Sequence, residues 1–368
     1  LDSIKDMNMK INSQFWQGKR VFITGHTGFK GSWLSLWLQR FGAEVTGYAL
    51  EPPTDPSLFD VARVADGMYS IIGDIRDAER LSHALMESRP DVVIHMAAQP
   101  IVRYSYEAPV ETYSTNIMGT VNVLEAVRKS PYTRIAVMVT SDKCYENREW
   151  VWGYREVDRM GGDDPYSGSK GCAELVVHTY RRSFFPEERY DQHGMALASV
   201  RAGNVIGGGD WARDRLVPDT MTALGNGRPV VIRNPSATRP WQHVLVPLSG
   251  YLGLAEKLWD DGKQYVGGWN FGPSDEDAKP VEWIIDYLTR AWGEGAKWQL
   301  DAGSHPHENT FLKLDTSKAR SYLGFEPRLD IGMALDWVAD WYRAYLQQQD
   351  MRLITEAQIG EYERLLAQ

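Results

Sequence analysis

The chain has 368 residues, 43% of them hydrophobic, enough for two domains or for one large α/β unit with an appended lobe. Its formal charge of −9 argues against a general nucleic-acid-binding surface, which needs a basic footprint, while leaving room for a local basic pocket. Two cysteines, Cys144 and Cys172, make neither a disulfide framework nor a four-ligand zinc site, and no apolar run approaches the roughly 18 residues of a membrane span. Leu1 to Met9 lacks the charged-then-apolar pattern of a signal peptide. These features predict a soluble, cytoplasmic protein with no metal site and no nucleic-acid or membrane partner.

Hydrophobic runs alternate with helical stretches through the first part of the chain. Arg20 to Thr24 reads as a short buried strand, and Ser32 to Phe41 carries apolar side chains at helical spacing. Strands are predicted at 45–49 and 70–73, a helix at 76–87 and a strand at 92–96. One long helix is expected over 110–129 after Pro109, then a strand at 135–140. A helix follows at 165–185 with Pro165 in its first turn, and a strand at 195–201. This alternation implies parallel strands joined by helical crossovers, hence a Rossmann doubly wound parallel sheet within 1–202. From 203 to 368 Gly, Pro and Arg become frequent, which reads mainly as a smaller C-terminal substrate-binding lobe. Segments such as Gly268–Phe271 are expected to return to the main sheet. Ile331, Leu335, Val338, Trp341, Tyr342 and Tyr345 keep three- and four-residue spacing, so the chain is expected to end on an amphipathic helix.

Thr24-Gly25-His26-Thr27-Gly28-Phe29-Lys30-Gly31 lies directly after the first strand and directly before a helix. Glycines in that context permit a tight turn and a close approach to a pyrophosphate, with the helix N-terminus facing the phosphates. Gly25, Thr27, Gly28, Phe29 and Gly31 are therefore candidate dinucleotide contacts. Lys30 and His26 read as loop residues, with Lys30 able to touch a phosphate. Glu51, just past the second strand, is placed for the adenosine ribose or for solvent. No Arg or Lys occurs between Tyr48 and Asp60 to receive a 2′-phosphate, which favours NAD over NADP. Asp74 and Ile75 close the third strand, where the carboxylate suits the adenine amino group, an N-cap for the next helix, or both. Tyr166 and Lys170 share one helix face, where an ammonium favours a phenolate base. Ser141 ends a strand, where parallel sheets bind ligands. The following Asp142-Lys143 offers a proton donor and a candidate base, or a surface salt-bridged turn.

Together with His95-Met96-Ala97-Ala98-Gln99, these motifs resemble the extended short-chain dehydrogenase/reductases, over about Trp16 to Tyr345. Within that group the sequence looks most like the sugar-nucleotide 4,6-dehydratases. Ser141-Asp142-Lys143, the run from Arg201 to Trp211 and the run from Thr238 to Val244 are similar to those of the CDP-D-glucose 4,6-dehydratases. The resemblance implies a closed redox cycle with NAD: oxidation at C4 of the hexose, loss of water across C5–C6, and hydride return to C6. Tyr166 would be the first base, assisted by Ser141 and Lys170. Asp142 would be the acid of elimination, and Lys143 the base or a stabiliser of the enolate. The resemblance extends the cofactor site to Ala97, Ala98, Gln99 and Asn116. It implies substrate contacts from Arg103, Asn204, Arg215, Arg233, Arg239 and His243, the arginines suiting a diphosphate through their bidentate fork.

Two other readings compete. A nucleotide-sugar 4-epimerase or reductase shares fold, cofactor and Tyr/Lys pair but needs no acid–base pair beside Ser141. An NAD-sensing regulator on the same scaffold would not need the tyrosine. Fold-mates pair through two long helices, so a homodimer is expected, or a homotetramer.

Overall fold

The structure is a computed structural model that describes residues 9–293, 295–301, 303 and 312–368. The opening segment read for a signal peptide lies outside the described residues up to position 8. The strands in chain order are β1 (Arg20–Thr24), β2 (Glu44–Ala49), β3 (Tyr69–Ile72), β4 (Val92–His95), β5 (Ile135–Val139) and β6 (Ala196–Ala202). Then come β7 (Asn204–Ile206), β8 (Val230–Ile232), β9 (Thr238–His243), β10 (Gly267–Phe271), β11 (Ala278–Pro280) and β12 (Trp298–Leu300). Among the described residues the main sheet has seven strands ordered β10-β6-β5-β4-β1-β2-β3. All its pairings are parallel.

Central strands of such a sheet are covered on both faces, so their sequences run apolar instead of alternating. Ile135–Val139 is buried throughout and so is Val92–His95. From β1 the chain winds outward through β2 and β3, then returns to β4 on the other side of β1 and continues through β5 and β6. The reversal between β1 and β4 opens the crevice at the carboxyl ends of the strands in which this class of sheet binds ligands.

The expected return to the sheet is observed: Gly267–Phe271 pairs with β6, Phe271 lying opposite Ala202. The Leu245–Asp260 helix, buried along most of its length, contributes to the same large core as the sheet. Among the described residues the second half of the chain also forms two small sheets, β11-β9-β7 and β12-β8.

Three expectations need correction. The helix expected over 110–129 starts at Pro109 and passes through a π-helical segment, Ser114–Met118, before resuming as Gly119–Lys129. The helix after β3 begins at Ala78, capped by Asp77, whose side chain accepts from the Arg80 N–H; Asp74 is therefore not its N-cap. The chain does not end on the Ile331–Leu346 helix, because a further helix, Met351–Ala367, follows it. That last helix folds back on the Phe29–Arg40 helix: Trp37 donates to Glu363, Arg40 pairs with Glu363, and Tyr362 meets Trp37 edge-on at 5.9 Å.

Trp341, fully buried, fills the space beside Gly208, where a Cβ would lie 2.0 Å from the indole ring. Gly208 also accepts a hydrogen bond from the Trp33 indole at 3.0 Å. Overpacking a rigid core in this way costs about 1–3 kcal/mol or more. Gly208→Ala is expected to lower the thermal midpoint by several degrees in a calorimetric scan; an unchanged midpoint would contradict this packing.

Candidate active site

The fingerprint loop leaves β1 at Thr24 and enters the Phe29–Arg40 helix at Gly28, which caps it with no side-chain hydrogen bond. Its three glycines have different reasons to be there. Gly25 has φ +82°, and a Cβ on it would lie 2.7 Å from the Ala97 N. A Cβ on Gly31 would lie 2.0 Å from the Gly25 carbonyl oxygen. Both are demanded by the fold. Gly28 is not: the closest protein atom to its Cβ position is the Gly25 oxygen at 3.4 Å, an ordinary contact. A bare backbone at an uncapped helix start, with no internal need for it, suits the close approach of a diphosphate. The residues present thus fit a dinucleotide.

Thr27 Oγ1 donates to the Leu50 carbonyl at 2.8 Å, tying the loop to the end of β2, where Glu51 is exposed. Asp74 is held by Arg76, through an ion pair at 2.6 Å and the backbone N–H, and that pairing keeps its carboxyl below the usual range. Ile75 is buried under Gly119. On the other side of the crevice Thr24 Oγ1 accepts from the N–H groups of Met96 and Ala97 and pairs with His95 Nδ1 at 2.7 Å. Ala98 follows in the same loop. The Asn116 amide accepts from the Gln99 N–H at 2.9 Å and donates to the Gln99 carbonyl and to Ser169 Oγ. The Gln99 side chain bonds Thr112 and the Ile101 N–H. Both amides are therefore occupied in fixing the loop beneath the crevice. The π-helical segment carries Asn116, whose spacing cannot be read from an ordinary helical repeat.

Beyond β5 the chain turns through a short 3-10 helix, Asp142–Cys144, capped by Ser141, whose hydroxyl accepts from the Lys143 N–H and donates to Asp142 at 3.0 Å. Tyr166 and Lys170 project from the Pro165–Ser183 helix, which Asp164 caps. Ser141, Asp142, Tyr166 and Lys170 are only 7%, 4%, 8% and 6% exposed, which excludes the surface-turn alternative for Asp142. Lys143 is half-buried.

Burial governs the ionisation of these groups. It raises the Asp142 carboxyl, against the pull of Lys143, the Ser141 hydrogen bond and Lys30, a shift toward the acid form. It raises the Tyr166 phenol to about 12, with the Ser141 hydroxyl as its hydrogen-bonding neighbour opposing the shift. It lowers the Lys170 ammonium to about 8, with Glu174 opposing. Among the named charges it is Arg215 that favours the phenolate, while Asp142 and Asp164 disfavour it. The expectation of a phenol drawn down by the local ammonium is thus outweighed by burial.

The basic rim is organised by acids. Asp214, in the left-handed region at φ +62°, pairs with Arg103 at 3.4 Å and Arg233 at 3.3 Å. Arg215 pairs with Asp210 at 3.0 Å. Arg239 is half-buried on β9 and donates to the Thr238 carbonyl; Asn204, half-buried, begins β7. His243 is the exception. It is fully buried, edge-on to Trp33 at 5.7 Å and Trp337 at 5.5 Å, and burial lowers its imidazole to about 3. The structure places it in the core, between those two rings.

Two features escape a linear reading. Lys30, in the first turn of the Phe29–Arg40 helix, is half-buried, and burial lowers it to about 8, with Arg215 and Lys170 adding to the shift and Asp142 and Asp210 opposing it. It therefore belongs electrostatically to the Asp142 site. Glu174 and Arg201 form a buried ion pair behind the same groups. The first lies at four-residue spacing from Lys170, the one signal that could have drawn attention to it.

A Rossmann sheet with an intact dinucleotide loop, a Ser/Tyr/Lys set and an arginine rim defines a short-chain dehydrogenase/reductase-type enzyme scaffold. The profile of the GDP-mannose 4,6 dehydratase family matches residues 22–246. A CDP-glucose 4,6-dehydratase from Salmonella typhimurium is 57% identical over 352 residues, covering 96% of this chain and 98% of that protein. The fold is shared with a UDP-glucose-4-epimerase from Stenotrophomonas maltophila solved with NAD and a formylated UDP-arabinopyranose. Its TM-score is 0.75 at 20% identity, covering 90% of this chain and 99% of that one. It is shared equally with a dTDP-glucose 4,6-dehydratase from Bacillus anthracis in complex with NAD. Here the TM-score is 0.72 at 19% identity, covering 91% and 100%. The chain belongs to the GDP-mannose 4,6 dehydratase family.

The glycine analysis yields a contrast. Gly28→Ala is expected to fold with an unchanged thermal midpoint yet bind NAD at least tenfold more weakly, measured by fluorescence titration. Gly31→Ala is expected to fail at folding itself. Normal NAD affinity in Gly28→Ala would remove the argument for a diphosphate at that glycine.

Proposed function

We infer that the chain converts CDP-glucose to CDP-4-keto-6-deoxy-D-glucose and water with NAD as its cofactor. The observation that carries this over a 4-epimerase or reductase is Asp142, buried and with its carboxyl raised by that burial, next to Lys143 and beside Ser141 and Tyr166. An epimerase has no elimination to perform there. The near-full-length similarity to the Salmonella dehydratase supports the nucleotide.

Bound across the crevice, the nicotinamide supplies a hydride acceptor for C4 and a hydride donor for C6. Gly25, Thr27, Gly28, Phe29 and Gly31 would hold its diphosphate and Glu51, Asp74 and Ile75 its adenosine end. Ala97, Ala98, Tyr166 and Lys170 would flank the nicotinamide ribose, with Gln99 and Asn116 shaping that wall. Tyr166 takes the proton of the 4-hydroxyl, and Ser141 holds the same oxygen. Its raised phenol means that the proton leaves only where a neighbouring positive charge compensates burial. The new ketone acidifies the C5 hydrogen. Asp142, whose carboxyl burial shifts toward the acid form, protonates the departing 6-hydroxyl, and water leaves. Lys143 occupies the place of the base that takes the C5 proton, or holds the enolate charge. Arg103, Arg215, Arg233, Arg239 and Asn204 would meet the diphosphate and sugar.

Residues 1–202, with β10 added, serve on this reading as the NAD-binding part, and 203–368 mainly as the nucleotide-sugar lobe. Exposed Tyr104, Tyr106, Val110, Tyr113, Met118, Leu175 and Phe184 lie on or beside the two long helices and support a homodimer, or a homotetramer built from it. No helix among the described residues is long and apolar enough to cross a membrane, and both cysteines are free. These features support a cytoplasmic site, and the product suits deoxysugar synthesis for surface polysaccharide such as O-antigen.

Incubation with CDP-glucose and NAD is expected to give the 4-keto-6-deoxy product, with dTDP-, UDP- and GDP-glucose turned over far more slowly. Absence of product from CDP-glucose refutes the assignment. Lys143→Met is expected to retain hydride transfer from C4 and to lose elimination by about 10²-fold or more, the usual scale of a missing proton-transfer group. Loss of both steps together would deny the separate role of Lys143.

A further inference from the structure

The groups of the reaction stand on two elements, and those that serve elimination alone, Asp142 and Lys143, lie on one of them. Tyr166 and Lys170 belong to the Pro165–Ser183 helix, whereas Ser141, Asp142 and Lys143 belong to the turn after β5. Both must meet one hexose, so their relative placement has to be fixed by something outside either set.

Glu174 lies one helical turn beyond Lys170 and two beyond Tyr166, and it is 4% exposed, as is its partner Arg201 on β6. Its carboxylate accepts four hydrogen bonds. Arg201 Nη2 at 2.6 Å and Ser199 Oγ at 2.8 Å reach one oxygen. Arg201 Nε at 2.9 Å and Thr140 Oγ1 reach the other. Arg201 Nη1 extends to the Tyr145 hydroxyl and the Glu156 carbonyl, and Tyr145 in turn donates to Asn270 Oδ1 on β10 at 2.8 Å. Thr140 and Tyr145 are the residues that bracket the turn carrying Ser141, Asp142 and Lys143. One end of that turn is therefore tied to Glu174 and the other to Arg201.

A buried ion pair is a costly means of stability, since an apolar pair of equal volume commonly does as well or better. What it supplies here is direction. A carboxylate on one element and a planar guanidinium on another are locked by two parallel bonds, with their spare valences directed to both ends of a third. We propose that the Glu174–Arg201 pair is a positioning device that holds the Ser141–Lys143 turn in register with Tyr166 and Lys170, so that elimination follows oxidation without release of the hexose. The proposal rests on the roles given above to Asp142 and Lys143.

The ends of the tether can be cut without unpairing the buried charges. Tyr145→Phe removes the rear link and Thr140→Val the front one, each leaving Glu174 and Arg201 paired. In single turnover with CDP-glucose and NAD, followed by absorbance of the reduced nicotinamide and by product formation, Tyr145→Phe is expected to oxidise C4 within threefold of the wild-type rate. It is expected to slow water loss at least tenfold, so that reduced cofactor accumulates. Thr140→Val is expected to show the same split in smaller measure. A merely structural role would slow both steps in proportion, and that result, or wild-type kinetics in both variants, overturns the proposal. Lys143→Met, run alongside, separates the two readings. If it fails to divide oxidation from elimination, the roles of the turn are wrong; if it divides them while Tyr145→Phe does not, only the tether is wrong.

Discussion

Parallel strands place all their carboxyl ends at one edge, and that constraint decides where chemistry can occur in this molecule. Because β2 and β3 lie on one side of β1 and β4, β5, β6 and β10 on the other, the loops leaving β1 and β4 part at that edge. The fingerprint loop, the Ala97–Gln99 loop and the Ser141–Lys143 turn all leave carboxyl ends. The Pro165–Ser183 helix carries Tyr166 alongside them. No local propensity brings these segments together; the direction of the strands does.

Within the crevice, burial is the dominant electrostatic influence. It raises Asp142 and Tyr166 and lowers Lys30, Lys170 and His95, so each of these groups is pushed toward its neutral form. For Asp142 this suits the work of an acid. For Tyr166 it is a demand that a bound positive charge must answer. The Glu174–Arg201 pair runs against the trend, since each holds the other charged: mutual attraction and hydrogen bonds keep the carboxyl low and the guanidinium high. Charge is thus kept behind the site, as structure, while the groups in front of it remain free to exchange protons.

The rim follows a related logic. Arg103 and Arg233 share Asp214, and Arg215 has Asp210, so the cations are held in place by carboxylates that an anionic ligand would have to displace or join. An arginine held this way loses less rotamer freedom on meeting a diphosphate than a free surface one.

What the sequence determined alone was whatever is written contiguously. The buried strands, the glycine loop between strand and helix, Tyr166 and Lys170 one turn apart, and Asp142-Lys143 after a strand are all local patterns, with a period or a spacing that physical chemistry ties to one shape. Tertiary structure decided what depends on distant pairs. It buried His243 between Trp33 and Trp337, drew Lys30 toward Asp142, and joined Glu174 to Arg201. It also inserted a π-helical segment to aim Asn116 at Gln99, and laid the Met351–Ala367 helix back on the Phe29–Arg40 helix. Burial and ion pairing are properties of neighbours in space, and a chain read in order gives its neighbours only along the backbone.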